Sequence, residues 1–339
     1  SDRAAIWQGE SIDHRTTGVF EMTSATPSRR FADVRAVIEA EQSVDPPVRA
    51  LEMANVIRAH HGDCVKGFVF YGSGLREADN PEKMLDYYVL VDRYRSVHRG
   101  FGIKALASLL LPPSVHYLEA TDSAGQFMSS KYSIVSMSAF VRRASGGAQE
   151  PMIWGRFSQP CLIMACESED VRGNLIDALA QAVIHFADEA RPLMDGRISP
   201  RAFWSRALAE SYRTELRAER PLERATEIVE RFGERYDALG IAAIGAADSD
   251  GLVDLGSVDR PGRKRAQISW ALRRWVGKPA TALRVLKAGF TFDGGLDYVL
   301  HKLKSHSGVT IPVTEHQRRH PILWSPILAW RLWRRGAFR

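Results

Sequence analysis

Five short apolar runs between residues 65 and 165 constrain the fold of this chain most strongly. They are VKGFVFY (65–71), DYYVLVD (86–92), SVHYLEA (114–120), KYSIVSM (131–137) and QPCLIMA (159–165). Runs of this length, rich in β-branched and aromatic residues and bounded by turn formers or charges, are typical of strands. Apolar residues spaced three and four apart then predict helices at 171–189, 200–217 and 221–238. The order predicts an α+β protein with a mixed sheet followed by helices.

The same pattern divides the chain into four parts. Residues 1–46 are predicted to be a loose N-terminal segment with one short helix near 31–41. The sheet domain covers 47–170 and opens on an amphipathic helix at 48–60. A helical domain covers 171–260, where Ser199-Pro200 is typical of a helix start and a Gly- and Asp-rich loop follows from 245. Basic helices over 265–305 begin the last part, 261–339, which is predicted to be a basic amphipathic region that faces a membrane.

Composition excludes several classes of protein. The 339 residues are 45% apolar and 25% charged, which is typical of a folded globular protein and not of a disordered or fibrous one. The three cysteines and ten histidines show no zinc-ligand spacing, so we expect neither a zinc site nor a disulfide framework. We therefore expect the protein to work in a reducing compartment. We find no signal-peptide pattern and no run of about 18 apolar residues, so an integral membrane protein is not expected.

Charge is distributed unevenly along the chain. Residues 260–339 contain 17 Lys and Arg against 3 Asp and Glu, a net charge of +14 within a whole-chain charge of +6. The first 259 residues are therefore acidic overall. The basic character belongs to the C-terminal part.

A Gly-Ser-Gly turn between the first two predicted strands is the first candidate site. Gly72, Ser73 and Gly74 permit left-handed backbone torsions and close approach, so their N–H groups and the Ser73 hydroxyl can face a phosphate. Asp86 opens the next run. An acid beside a triphosphate can hold Mg²⁺, which neutralises charge as pyrophosphate departs. This is the layout of the nucleotidyltransferase superfamily.

A second acid for the metal is not found on the same strand. The superfamily usually places two carboxylates two residues apart, but the second position here is Tyr88. Asp92 shares the face of Asp86, yet six residues at roughly 3.3 Å each place it about 20 Å away. Glu119, on a neighbouring predicted strand, is the most plausible partner. The alternative is that Glu119 is a solvated glutamate at a strand end.

The chain resembles the mitochondrial CDP-diacylglycerol synthase family and its bacterial relatives over roughly residues 65–305. The segments that carry the resemblance are FVFYGSGLRE, MLDYYVLVD, KYSIVS, WGRFSQPCLIM, ALAESYRTELR and ISWALRRWVGKPATALRVLKAGFTFDGGLDYVLHKLKSH. Departures from the family pattern are Glu77 for glutamine, Glu119 for asparagine, Ser133 for glycine and Gln159 for lysine. The resemblance implies a nucleotidyltransferase domain at 47–170.

The resemblance also implies a reaction and roles for residues. The reaction is transfer of the cytidylyl group of CTP to phosphatidic acid, giving CDP-diacylglycerol and pyrophosphate. In it Gly72, Ser73 and Gly74 would hold the leaving phosphates. Asp86 and Glu119 would hold Mg²⁺, and Lys131 and Arg156 would bind phosphate oxygens, Lys131 as a catalytic group. Residues near the nucleotide would also include Tyr212, Glu215 and Arg217. Alternatives are a nucleotidyltransferase with a soluble acceptor and a non-catalytic membrane-surface binding protein.

A lipid acceptor requires access to a membrane, and residues 318–339 are suited to provide it. RRHPILWSPILAWRLWRRGAFR interleaves apolar residues with six arginines but is too short to span a bilayer. The predicted contacts with an anionic surface are Trp324, Trp330, Trp333, Arg331, Arg334 and Arg335. The alternative is a helix packed on the body or on a second copy of the chain. We do not expect nucleic acid as a partner. The expected location is peripheral, on the cytoplasmic face of the bacterial inner membrane or on the matrix face if mitochondrial.

Overall fold

A five-stranded mixed sheet organises the first half of the protein. In this computed structural model the described residues are 28–77, 80, 83–97, 113–215, 220–291 and 312–319, with 324, 327, 330, 331 and 334. The strands are β1 (Val65–Tyr71), β2 (Leu85–Val91), β3 (Ser114–Thr121), β4 (Phe127–Ser136) and β5 (Cys161–Met164). They lie in the order β3-β4-β2-β1-β5, with β2 and β4 parallel and the other pairs antiparallel. All five predicted strands are confirmed, with ends shifted by up to four residues. A small ladder joins β6 (Arg197–Ile198) to β7 (Val253–Asp254).

Helices precede, interrupt and follow the sheet. The first five are α1 (Arg29–Glu41), α2 (Val48–His61), α3 (Ser73–Arg76), α4 (Tyr94–Val97) and α5 (Met137–Ala144). The next four are α6 (Glu169–Ala190), α7 (Pro200–Tyr212), α8 (Pro221–Arg231) and α9 (Gly233–Ile244). The last two are α10 (Arg260–Thr291) and α11 (Glu315–Arg319). The mixed α+β class is confirmed.

Serine side chains begin four of these helices. Each hydroxyl accepts a hydrogen bond from a first-turn backbone N–H, which satisfies a donor that has no partner within the helix. The four serines are Ser28 at α1, Ser136 at α5, Ser168 at α6 and Ser199 at α7. The helix start predicted at Ser199-Pro200 is therefore confirmed.

Two predicted helix ends are wrong. The helix predicted over 200–217 ends at Tyr212. The helix predicted over 221–238 is two helices, because Phe232 leaves the helical region at φ −116° and ψ 41°. The break brings Gly233 close to the body, where an added Cβ would lie 2.4 Å from Cζ of Arg201.

The sheet is covered on both faces. On one face, α2 packs Ala50, Met53 and Ile57 into a cluster that includes Phe68 and Tyr87. The opposite face, here called the helix-side face, contributes Val69, Tyr71, Tyr88, Leu90 and Val135. These side chains belong to one buried cluster that continues through α6 and α7 to Trp270 of α10. A polar side chain at the end of this face therefore lies between the sheet and the helices.

The described part of the N-terminal segment is firmly packed. The helix predicted near 31–41 is confirmed as α1, and its Val34 and Ile38 are buried against the main core. Glu41 forms an ion pair with Arg235 at 2.6 Å. Burial raises the pKa of Glu41, and the positive charge of Arg235 opposes that rise. The same buried cluster crosses all three predicted domain boundaries, and the four-part division stays a prediction.

Candidate active site

The strand register aligns four polar residues in one row across the sheet, and two of them, Asp86 and Lys131, are predicted site residues. Asp86 of β2 pairs with Tyr71 of β1 on one side and with Lys131 of β4 on the other. Lys131 in turn pairs with Tyr117 of β3. Directly paired residues project on the same side of a sheet, and Tyr71 projects into the helix-side core. The row therefore lies on the helix-side face, where the apolar cluster ends.

The Gly-Ser-Gly turn lies directly against Asp86. Gly72 has a φ of +84°, and a Cβ added to it would lie 2.9 Å from Oδ2 of Asp86. Both the backbone torsion and the carboxylate thus require glycine at this position. A Cβ on Gly74 would lie 3.3 Å from three atoms, of Phe70, Met84 and Leu85. The turn is consequently fixed between β1 and β2, as the sequence predicted for a close backbone approach.

Ser73 begins a single helical turn immediately after Gly72. The first N–H groups of a helix have no partner within it and can face an anion. They adjoin the Asp86 carboxylate, whose charge alone would repel a phosphate. A cation placed between the two would remove that conflict. The geometry therefore places N–H groups that could bind an anion beside a carboxylate that could hold a cation.

Lys131 supplies one positive charge at this point. Its Nζ is 3.8 Å from Oδ1 of Asp86, and their side chains are 26% and 18% exposed. This separation is longer than a hydrogen bond, so Lys131 is near Asp86 without being fixed on it. An ammonium group at this distance can contact an oxygen of a bound phosphate and still offset the carboxylate charge.

Arg156 lies above the other side of Tyr71. Its Cζ is 5.3 Å from the Tyr71 ring centroid, and its Nη2 is 3.3 Å from Oε1 of Glu215. Burial alone would lower the pKa of Arg156, but the charges of Glu215, Tyr71, Tyr88 and Tyr212 together outweigh burial and the pKa is raised. Since Tyr71 immediately precedes Gly72, the structure brings the predicted Arg156 and Glu215 to the site.

Close packing explains the position of Arg156. It lies in a run of turns over 151–158, and a Cβ on Gly155 would be 2.5 Å from Oγ of Ser211 in α7. Glu215 follows the end of α7. Tyr212 also lies there, and its hydroxyl donates to Oε1 of Gln159 at 2.9 Å. Gln159 and Tyr212 therefore form a polar contact between the turns that carry Arg156 and the end of α7. Arg217 lies outside the described residues.

Glu119 is not brought to Asp86, which corrects the predicted pair. Glu119 lies on β3, where it pairs with Ser129 of β4. Strand β3 is two strands away from β2, and Glu119 is two residues along the strand from the polar row. Strand spacing then separates the Cα atoms of Glu119 and Asp86 by about 12 Å. The Glu119 carboxylate is exposed and accepts a hydrogen bond from the Tyr117 hydroxyl at 2.7 Å. The expectation that Glu119 lies on a strand next to that of Asp86 is wrong, because β3 pairs with β4 and not with β2.

Asp86 alone fits one kind of magnesium site. Among the residues that the structure describes, no group of three or more His, Cys, Asp or Glu side chains could hold a metal ion. Magnesium is commonly bound through one or two carboxylates, with substrate phosphates and water completing its shell. The donor set thus fits a metal that arrives with a triphosphate, and does not fit an all-protein cage.

Arg284 of α10 lies near the candidate site and was not predicted from the sequence. Its guanidinium and that of Arg143 both contact Oε1 of Glu150, and Arg284 is nearly buried. Its charge lowers the pKa of Tyr88, although burial dominates and raises that pKa overall. Tyr88 lies two residues from Asp86 on the same face. The helix α10 contains nine basic residues, and the sequence alone gives no signal that separates Arg284 from those on the surface.

The predicted membrane segment is described only in part. Trp324, Trp330, Arg331 and Arg334 are helical, whereas Trp333 and Arg335 lie outside the described residues. Cζ of Arg334 lies 4.9 Å from the exposed Trp330 ring, and Nε1 of Trp324 donates to Nδ1 of His316 at 3.2 Å. In the described part of the chain, we find no helix with the length and apolarity needed to cross a membrane.

No family model matches the chain, and no curated protein sequence matches it significantly. The inference of function therefore depends on the motifs in the sequence and on the geometry around Asp86.

Proposed function

We propose that this protein is a magnesium-dependent CTP:phosphatidate cytidylyltransferase that works at a membrane surface. The observation that carries the proposal is the contact between the Gly72 turn and the Asp86 carboxylate, with Lys131 3.8 Å away. This contact brings the N–H groups of a turn, a carboxylate and an ammonium group together at one end of one sheet face, and these groups suit an anion, a metal ion and a phosphate oxygen. Nucleotidyl transfer needs all three.

The reaction exchanges one phosphorus–oxygen bond for another. An oxygen of the phosphatidate phosphate forms a bond to the α-phosphorus of CTP, and the bond from that phosphorus to the bridging oxygen breaks. The electron pair leaves with pyrophosphate. Because the attacking phosphate is already anionic, positioning and charge neutralisation matter more than a general base.

Each group in the site has a defined part in that reaction. The Gly72, Ser73 and Gly74 turn would bind the departing phosphates through its N–H groups. Asp86 would hold Mg²⁺, which supplies charge neutralisation at the phosphate oxygens. Lys131 would contact the oxygens of the reacting phosphate. Arg156 lies on the far side of Tyr71 and would contact the nucleotide or the acceptor phosphate.

Peripheral attachment to the inner membrane, on the side that supplies CTP, follows from the proposed acceptor. The net charge of +14 over residues 260–339 supports this location, because an anionic leaflet attracts basic segments.

An acceptor assay tests the proposal. The protein is incubated with α-labelled CTP, Mg²⁺ and short-chain phosphatidate in detergent, and label is measured in the organic phase. We expect lipid-soluble label, and much less with ATP in place of CTP. Label in an added soluble acceptor would indicate a different nucleotidyltransferase. Binding of nucleotide or lipid without any transfer would indicate a non-catalytic protein.

Glu119→Gln should change turnover in this assay by less than about threefold. Its carboxylate is exposed, bonded to Tyr117 and two strands from Asp86. Amide replacement keeps an acceptor for the Tyr117 hydroxyl, so the local structure should persist. A loss as large as that of an Asp86 variant would show that Glu119 moves to the metal when nucleotide binds.

A further inference from the structure

The long helix α10 presents one side to the protein body and leaves the other exposed. On the inward side, Trp270 is buried and its Nε1 donates to the Glu189 carbonyl at 2.9 Å. Gly277 packs closely, since an added Cβ would lie 2.7 Å from the Thr214 carbonyl oxygen. Ion pairs also join this side to the body, namely Arg263–Asp195, Arg273–Glu189, Arg274–Glu210 and Arg284–Glu150. The orientation of α10 is therefore fixed.

The outward side of α10 carries a continuous apolar stripe. Ile268, Leu272, Trp275 and Val276 are 46% to 81% exposed, and Trp275 is the most exposed of them. At about 100° per residue, these four positions fall within roughly 100° of helix circumference. Large apolar side chains that are exposed together on one helix face mark an interaction surface.

Basic residues lie along one side of the stripe and at its N-terminal end. Lys264 and Lys278 lie along one border, Arg265 lies in line with the stripe just before Ile268, and all three are exposed. Over its 32 residues α10 contains nine Lys and Arg and no Asp or Glu. An apolar strip that contains an exposed Trp and has cations beside it matches the layering of a lipid surface, where acyl chains lie below anionic headgroups.

Charge distinguishes among the occupants that could cover this face. A second copy docked by two-fold symmetry would place two α10 helices against each other, each with nine Lys and Arg and no Asp or Glu. An anionic lipid surface instead supplies negative charge along the whole helix and an apolar layer beneath it. We propose that the outward face of α10, formed by Ile268, Leu272, Trp275 and Val276 with Lys264, Arg265 and Lys278 beside them, docks on anionic lipid.

Docking through α10 would place the membrane near the site. Arg284 follows Trp275 by nine residues, or about 14 Å along the helix axis, and its side chain faces the body near Tyr88. The docking face stands on the geometry of α10 alone. Its use in delivering the acceptor phosphate to the site rests on the proposed function.

Vesicle co-sedimentation tests this inference with the full chain. The test variant is Ile268→Ser/Leu272→Ser/Trp275→Ser, and the matched control is Leu222→Ser/Ile241→Ser, which removes half-exposed apolar side chains from α8 and α9. With phosphatidylcholine vesicles containing about 30% phosphatidic acid, we expect the test variant to bind at least about tenfold more weakly than wild type. The control should bind like wild type.

Several results would overturn the docking face. If the test variant bound vesicles as tightly as wild type, docking would be assigned to another segment such as 318–339. If the wild type did not bind vesicles at all, there would be no docking face. Loss of binding in the control as well would show that the effect is not specific to α10. If the test variant kept vesicle binding but lost binding to an acidic protein, the face would be assigned to a protein partner instead.

The proposed function can fail separately from the docking face. Wild type and test variant should transfer label equally to short-chain phosphatidate in detergent, because the substituted residues lie outside the site. No transfer by either protein, with vesicle binding lost only in the test variant, would refute the cytidylyltransferase and leave the docking face standing.

Discussion

Replacing Asp86 with Asn should reduce turnover by about a thousandfold or more while leaving the fold intact. Among the described residues near the Gly72 turn, Asp86 is the carboxylate that the turn contacts. Asn has nearly the same shape, so the tight fit against Gly72 is kept, but it has no charge to hold a divalent cation. The measurement is the initial rate of label transfer at saturating CTP and Mg²⁺, with circular dichroism as the check on folding.

Asp92→Asn is the matched control for this change. Asp92 follows the other end of β2, is exposed, and accepts hydrogen bonds from Arg93 N–H and the Ser96 hydroxyl. An amide oxygen can still accept such bonds, and the site lies about 20 Å away. We expect wild-type rates for Asp92→Asn. Near-wild-type turnover by Asp86→Asn would contradict the assignment of Asp86 as the metal ligand.

Replacing Gly72 with Ala should reduce turnover by about a hundredfold, through the position of the Asp86 carboxylate. The new Cβ would lie 2.9 Å from Oδ2 of Asp86, so either the turn or the carboxylate must move. A φ of +84° adds strain of about 1 to 2 kcal/mol for a residue with a side chain. Activity and the free energy of unfolding should therefore both fall.

Gly62→Ala separates the two effects. Gly62 has a φ of +72°, close to that of Gly72, but nothing lies within 4 Å of an added Cβ. It should lose stability by a similar amount, about 1 to 2 kcal/mol, with no loss of turnover. The measurements are urea unfolding and the initial rate for both variants. Equal rates for Gly62→Ala and Gly72→Ala would show that the contact with Asp86 is not needed for catalysis.

Local features of the sequence predicted much of the fold and of the phosphate end of the site. Short runs of aromatic and β-branched residues identified all five main strands, and Ser199-Pro200 identified the start of α7. The positive φ of Gly72 agrees with the reading of Gly-Ser-Gly as a turn that comes close to another group. These features depend on neighbours in sequence, which a single sequence contains.

Features that depend on strand order could not be predicted in the same way. Glu119 was paired with Asp86 because the second acid had to come from a neighbouring strand, but the order β3-β4-β2 places Lys131 between them. The parallel register of β2 and β4 that aligns Asp86 with Lys131 has no local signal. Arg284 is likewise separated from Glu150 by 134 positions, so only tertiary packing identifies it among the surrounding basic residues.

The division of labelled phosphate between lipid and water tests the central claim most directly. Wild-type protein is incubated with phosphatidate, Mg²⁺ and CTP labelled at either the α- or the γ-phosphate. Cytidylyl transfer predicts that α-label enters the lipid phase in amounts equal to the pyrophosphate released, while γ-label stays in water as pyrophosphate. Removal of Mg²⁺ with a chelator should abolish both. Entry of γ-label into lipid, or release of pyrophosphate without α-label in lipid, would contradict the account.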